Sequence, residues 1–256
     1  MMIHAVGDLH GQIGELERAL ALIDAMGEAG APVVFLGDYT DRGPDSRAVI
    51  ERLIAGPEAG RDWIFLRGNH DRMFLRFLRF LRDGTVADPA IRSGKTWLHP
   101  ALGGGRTLAA YGVRVPGDEV LSRLGQEPGH DADLARLLDA ARDRVPAAHR
   151  AFLEGTRMFH EAGDQVFVHA GLRPGVPLDE QVEDDLLWIR EPFLFDPRDH
   201  GPLVVHGHTA VDAPEHRDNR LNLDSGAGFG RPVTAALIDG RAAWCLTDAG
   251  RAPILP

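Results

Sequence analysis

At 256 residues, with 44% hydrophobic and 26% charged side chains, the chain is long enough to bury a full core without cross-links and too apolar to be disordered. Its formal net charge of −10 excludes a general nucleic-acid binder, which needs clustered cations to displace phosphate counterions. A single cysteine, Cys245, excludes an intrachain disulfide. No run approaches the roughly 20 apolar residues of a membrane span, and the apolar start at residues 1–6 is too short for a secretory signal. The expectation is a cytoplasmic monomer with no membrane or nucleic-acid partner.

Residues 3–6 read as a short buried strand, and 15–26 as a helix with Leu16, Leu20 and Ile23 at helical spacing. A strand at 33–36 follows Pro32. Next come a helix with Val49 and Leu53 on one stripe, and a strand at 63–66. This β-α-β-α-β rhythm predicts an α/β domain with parallel strands. After Asp71 the rhythm changes. Residues 73–81 alternate Phe and Leu with Arg72, Arg76, Arg79 and Arg82, which read as a solvated helix face or a substrate-steering stripe. Residues 85–129 show no clear period, and helices are expected near 134–141 and 147–153. Roughly residues 72–163 thus form a helical insertion within a single domain spanning 1–256. Strands return at 166–169, 203–205, 221–223, 234–238 and 242–246, the last two joined by Asp239-Gly240 as a hairpin.

Five short motifs lie at the ends of predicted strands. They are Gly7-Asp8-Leu9-His10-Gly11, Gly37-Asp38-Tyr39-Thr40-Asp41-Arg42-Gly43, Gly68-Asn69-His70-Asp71, His169-Ala170-Gly171 and Gly207-His208-Thr209. In an α/β sheet, ligands bind at the carboxyl ends of the strands, so loops remote in sequence can converge there. Imidazole and carboxylate together suit Mn, Fe and Zn, and one carboxylate can bridge two ions. Asp8 and His10, two apart in a tight loop, can reach one ion. Asp38 is the natural bridge, Asn69 offers a neutral oxygen, and His169 and His208 complete the set. Each motif alone carries little information, since a lone Asp or His in a loop is usually a cap or a solvated residue. The information lies in five of them in this order.

The pattern resembles the metallophosphoesterase superfamily, and within it the bacterial and phage-type serine/threonine phosphoprotein phosphatases. The Asp41-Arg42 pair in the second motif carries the finer resemblance. It implies a calcineurin-like sandwich of two mixed β-sheets flanked by helices, with two divalent metal ions, Mn or alternatively Fe or Zn. It also implies Asp8, His10, Asp38 and His208 at the first metal and Asp38, Asn69 and His169 at the second. Asp71 departs from the family, which usually has Glu there.

The mechanism follows from charge. Two adjacent cations lower the pKa of a bridging water, and the hydroxide attacks phosphorus in line. Arg42 offers fork geometry to the phosphoryl oxygens. His70 is the candidate general acid, with Asp41 placed to orient it. A second clamp is expected from Arg190, with Arg173 as its competitor. His206, two residues before His208, is not counted among the ligands. His4, His99, His130, His149, His160, His200 and His216 have no motif context, and residues 224–228 read as a structural turn. The expected activity is hydrolysis of phosphomonoesters, with phosphorylated proteins or small phosphoesters as substrates. The alternative is a dinucleoside polyphosphate (diadenosine tetraphosphate) hydrolase. A nuclease and a non-catalytic phosphate-binding protein are further rivals.

Overall fold

The computed structural model of the chain describes residues 1–83, 88–91, 93–125 and 131–256. Strand β1 (Met2–Val6), helix α1 (Ile13–Met26), strand β2 (Val33–Phe35), helix α2 (Ser46–Glu58) and strand β3 (Trp63–Phe65) form the expected β-α-β-α-β unit. β1, β2 and β3 pair in parallel, and β9 (Ala235–Asp239), β10 (Ala242–Thr247) and β11 (Gly250–Ile254) extend the sheet antiparallel in the order β11-β10-β9-β1-β2-β3. A second sheet has the order β4-β5-β6-β8-β7. It is built from β4 (Phe159–Ala162), β5 (Gln165–Val168), β6 (Leu203–His206), β7 (Glu215–Arg217) and β8 (Arg220–Asn222), with β5, β6 and β8 parallel.

Side-chain alternation along a strand explains why the sheets stack. Ile3, Ala5, Val34 and Leu36 of the first sheet share a buried cluster with Phe167, Leu203, Val205 and Leu221 of the second. The intervening Val6, Val33 and Phe35 face the other way, into a larger core with Leu16, Leu20, Val49 and Leu53 of α1 and α2. Strands buried on both faces read as continuous apolar runs, which is why the central strands were visible in the sequence.

Helices α3 (Asn69–Asp83), α4 (Gly104–Ala110), α5 (Asp118–Leu121), α6 (Asp131–Arg144) and α7 (Ala147–Glu154) cover the first sheet's helical side. Three expectations change here. The helical insertion stops at α7, because residues 159–162 are a strand of the second sheet. α4 lies in a stretch expected to have no period: glycines disfavour a helix, but a side chain at Gly104 would strike the Trp97 ring, so tertiary packing requires one there. Arg72 is no part of a solvated face. It is buried, forks onto Asp88 at 2.9 and 2.7 Å, and reaches Asp184 at 2.6 Å on α8 (Glu183–Trp188). His130 and the side chain of Arg82 lie outside the described residues.

Candidate active site

The five motif loops follow β1, β2, β3, β5 and β6 and converge where the carboxyl ends of both sheets meet. Their backbone is unusual. Among the described residues, the side-chain-bearing positions with positive φ are His10 (44°), Asp38 (53°), Asp41 (73°), Arg42 (62°) and His208 (64°). That conformation is costly for an L-residue, and such residues gather at functional sites where their surroundings over-determine them. Asp71 supplies part of that determination. Its buried carboxylate accepts the backbone N–H groups of Asp38 (2.8 Å), Tyr39 (3.0 Å) and Gly68 (3.0 Å), tying the second loop to the third. The shorter arm of aspartate, where the resemblance expects glutamate, still ties the loops. Glycine is required at 68 and 207, because a Cβ there would collide with the carboxylates of Asp38 and Asp8 respectively.

Asp38 is the centre of the cluster. His10 Nε2 lies 3.4 Å from one of its oxygens and His169 Nε2 3.5 Å from the other. Ligand atoms of His10, Asp38 and His70 all fall within 4.8 Å of one another, as do those of Asp8, Asp38 and His169, so the two sets share Asp38 alone. Asn69 Oδ1 lies 2.9 Å from His169 Nε2 and 2.8 Å from His208 Nδ1. All six sequence-derived metal candidates are therefore buried together. Their partition differs from the one the resemblance implies, since Asp8 falls with Asp38 and His169 rather than with His10. The resemblance groups His208 with Asp8 and His10, but its imidazole packs against Asn69 and His169, ring centres 5.2 Å apart, and only its backbone N–H faces Asp8.

The electrostatics suit cations. Burial, and then the nearby Asp224 and Asp38 carboxylates, push Asp8 well above the usual carboxylate range. Burial lowers His10 to about 3 and also drives down His169 and His208, so these rings are neutral at pH 7 with lone pairs to offer. Burial raises Asp38 too, but the surrounding His169, His70, His10 and His208 outweigh it and hold Asp38 below its ordinary value. His208 Nε2 is buried without a hydrogen-bond partner. Buried carboxylates, neutral imidazoles, an amide oxygen and an orphaned ring nitrogen form a donor set that fits borderline divalent ions. Cations would also compensate the clustered negative charge.

Beside this cradle stands a second unit. His70 Nδ1 is 2.7 Å from Asp41 Oδ2. Asp41 is fully buried and also accepts from Trp97 Nε1–H at 2.7 Å and Thr107 Oγ1–H at 2.6 Å. With Asp41 an acceptor throughout, the proton between them sits on His70 Nδ1, leaving Nε2 as the nitrogen that can exchange one. Trp97 and Thr107 escaped the sequence reading, which assigned neither a role. Asp224 escaped it as well. It is no mere turn: it is buried, follows the buried segment 221–223, and its charge acts on Asp8. The signal was present, since β1 and β2 also run into an aspartate.

Arg42 Nη1 lies 2.9 Å from His10 Nε2, and its guanidinium stands over the Phe229 ring, 5.1 Å from the centroid. The two competing arginines separate. Arg173 is committed to Asp185, with both its donors at 2.6 Å. The Arg190 guanidinium has no hydrogen-bond or ion-pair partner among the described residues and lies in the field of Arg42, Asp38 and Asp224; desolvation first, then Arg42, lowers it. His206 points away from the site, its ring edge-on to Phe193 at 5.1 Å.

Residues 1–212 match the calcineurin-like phosphoesterase family. A Bacillus mycoides protein named bis(5'-nucleosyl)-tetraphosphatase PrpE [asymmetrical] is 25% identical over 244 residues, covering 91% of this chain and 89% of its own. A crystal structure provisionally assigned as a diadenosine tetraphosphatase superposes with a TM-score of 0.60 at 20% identity, over 98% of this chain and 93% of that one. A cold-active protein-tyrosine phosphatase from a psychrophilic Shewanella superposes with a TM-score of 0.57 at 16% identity, over 99% and 80%.

Proposed function

The chain belongs to the calcineurin-like phosphoesterase family, and on that premise we propose that this enzyme uses two divalent ions to hydrolyse dinucleoside polyphosphates. The observation that carries the metal-dependent reading is the sharing of Asp38 between two sets of buried donors, one of which includes His70, itself paired with Asp41. The substrate class is supported by the tetraphosphatase relative, which matches along nine-tenths of both chains.

Asp38 would be shared by the two ions, with His10 serving one, Asp8 and His169 the other, and Asn69 and His208 beside His169. When bound, such ions supply a water acidic enough to attack at neutral pH and neutralise charge on the phosphoryl group. The remaining work falls to the protein. Arg42 and Arg190 hold the phosphoryl oxygens from two sides. Asp41 keeps His70 in one orientation, and His70 Nε2 gives its proton to the departing oxygen. Asp71 holds the second and third loops in the conformation that brings Asp38 between the two donor sets.

A specific observation favours a second reading, a serine/threonine phosphatase. An alkoxide leaves poorly and needs a well-placed proton donor, and the buried network on Asp41 orients His70 for that role. A panel of diadenosine tetraphosphate, a phosphoserine peptide and p-nitrophenyl phosphate, each with added Mn, decides between them. A kcat/KM highest for the dinucleotide supports the first reading, and one highest for the peptide replaces it with the second.

A further inference from the structure

Phe229 is 68% exposed. Single exposed apolar residues are common on any surface, but this one is fastened to the site. It ends a short 3-10 turn, Ala227–Phe229, between Gly226 (φ 89°) and Gly230 (φ 80°), both left-handed. The turn is anchored at three points. Gly226 N–H donates to Asp224 Oδ1 at 2.9 Å, and Gln12 Nε2 donates to the Ala227 carbonyl at 3.2 Å. Gly228 sits so close to His10 and Arg42 that a Cβ would lie 2.6 Å from the His10 ring and 2.9 Å from the Arg42 guanidinium. The Arg42 guanidinium covers part of the ring, 5.1 Å from its centroid. The rest of the ring is open at the rim, beside Arg42.

We infer that Phe229 is a stacking platform for a nucleobase of the substrate whose phosphate Arg42 holds, and that it biases the enzyme toward nucleotide-bearing phosphoric esters and anhydrides. The inference rests on the phosphoesterase reading. A rigid aromatic ring is a good partner for any base, because every base has a π-face. Phosphoserine has no ring to place there. The pinned turn means the platform is in position before binding, so little ordering cost offsets the contact.

The test compares wild type with Phe229→Ala, Phe229→Leu and Phe229→Trp in the full metal-loaded protein. It measures inhibition by AMP and by inorganic phosphate, alongside turnover of diadenosine tetraphosphate and of O-phosphoserine. Phe229→Ala should weaken AMP inhibition and raise KM for the dinucleotide about tenfold, while inhibition by phosphate changes less than about twofold. Phe229→Trp should retain wild-type AMP inhibition, and Phe229→Leu should resemble the alanine variant. AMP inhibition unchanged by Phe229→Ala overturns the inference. Full recovery by Phe229→Leu overturns it too, since any apolar group would then serve. Equal losses for AMP and phosphate mean that Phe229 only supports Arg42. A wild type that turns over O-phosphoserine but shows no Phe229-dependent AMP inhibition defeats this inference alone, whereas one that turns over neither substrate defeats the phosphoesterase reading beneath it.

Discussion

His10 and His70 stand edge to face with ring centres 4.8 Å apart, yet different parts of the molecule hold them. His10 belongs to a cradle whose backbone is set by strand ends of both sheets. Its Nδ1 meets the Thr40 carbonyl at 2.8 Å, and His169 Nδ1 meets the Leu36 carbonyl at the same distance. His70 belongs to an arm whose anchor, Asp41, is fixed by Trp97 and Thr107 of the helical insertion. The cradle is secured by backbone geometry, the arm by side chains from a segment remote in sequence. Metal binding and proton transfer should therefore be separable by mutation.

The largest expected effect is at the point shared by both donor sets. Asp38→Asn should abolish tight metal binding and reduce turnover by more than the roughly 10–100-fold that loss of a ligand's supporting partner costs. Metal analysis with circular dichroism shows whether the fold survives. His70→Asn should keep its metal and lose roughly 10²–10⁴-fold on a poor leaving group. The loss should shrink on p-nitrophenyl phosphate, and equal losses on both would instead assign His70 to binding. Arg190→Ala should reduce kcat/KM by roughly 10²-fold and weaken phosphate inhibition at constant metal content. Thr107→Val or Trp97→Phe removes a donor to Asp41 without touching the cradle, and a rate loss of roughly 10–100-fold with full metal occupancy is expected. If either variant loses metal, the insertion belongs to the cradle. The smallest effect is at Arg173. Its pair with Asp185 is solvent-screened, so Arg173→Ala should leave both the denaturation midpoint and turnover near wild type.

The sequence disclosed the cradle more fully than the arm for the same physical reason. Residues 3–6, 33–36, 166–169 and 203–205 are buried on both faces, and each runs into or just short of a motif, so strand and ligand candidates were visible together. Three edge strands, β4, β7 and β11, left no such trace. β7 is Glu-His-Arg, and β11 carries Pro253, which an edge tolerates. Trp97 and Thr107 stood in a segment without period, where only the fold shows that an indole and a hydroxyl reach Asp41. Arg72 was misread because helical spacing among arginines says nothing about a carboxylate on another element. Arg190 and Arg173 could not be ranked until Asp185 was seen to occupy the latter.

The central claim is that cradle and arm are separate units around Asp38. It is tested most directly by metal stoichiometry and turnover measured on the same preparations of wild type, Asp38→Asn and His70→Asn after reconstitution with Mn. The account predicts two ions per chain in wild type and in His70→Asn, with turnover lost in the latter, and fewer than two in Asp38→Asn. One ion per fully active wild-type chain, or loss of metal from a folded His70→Asn protein, would contradict it.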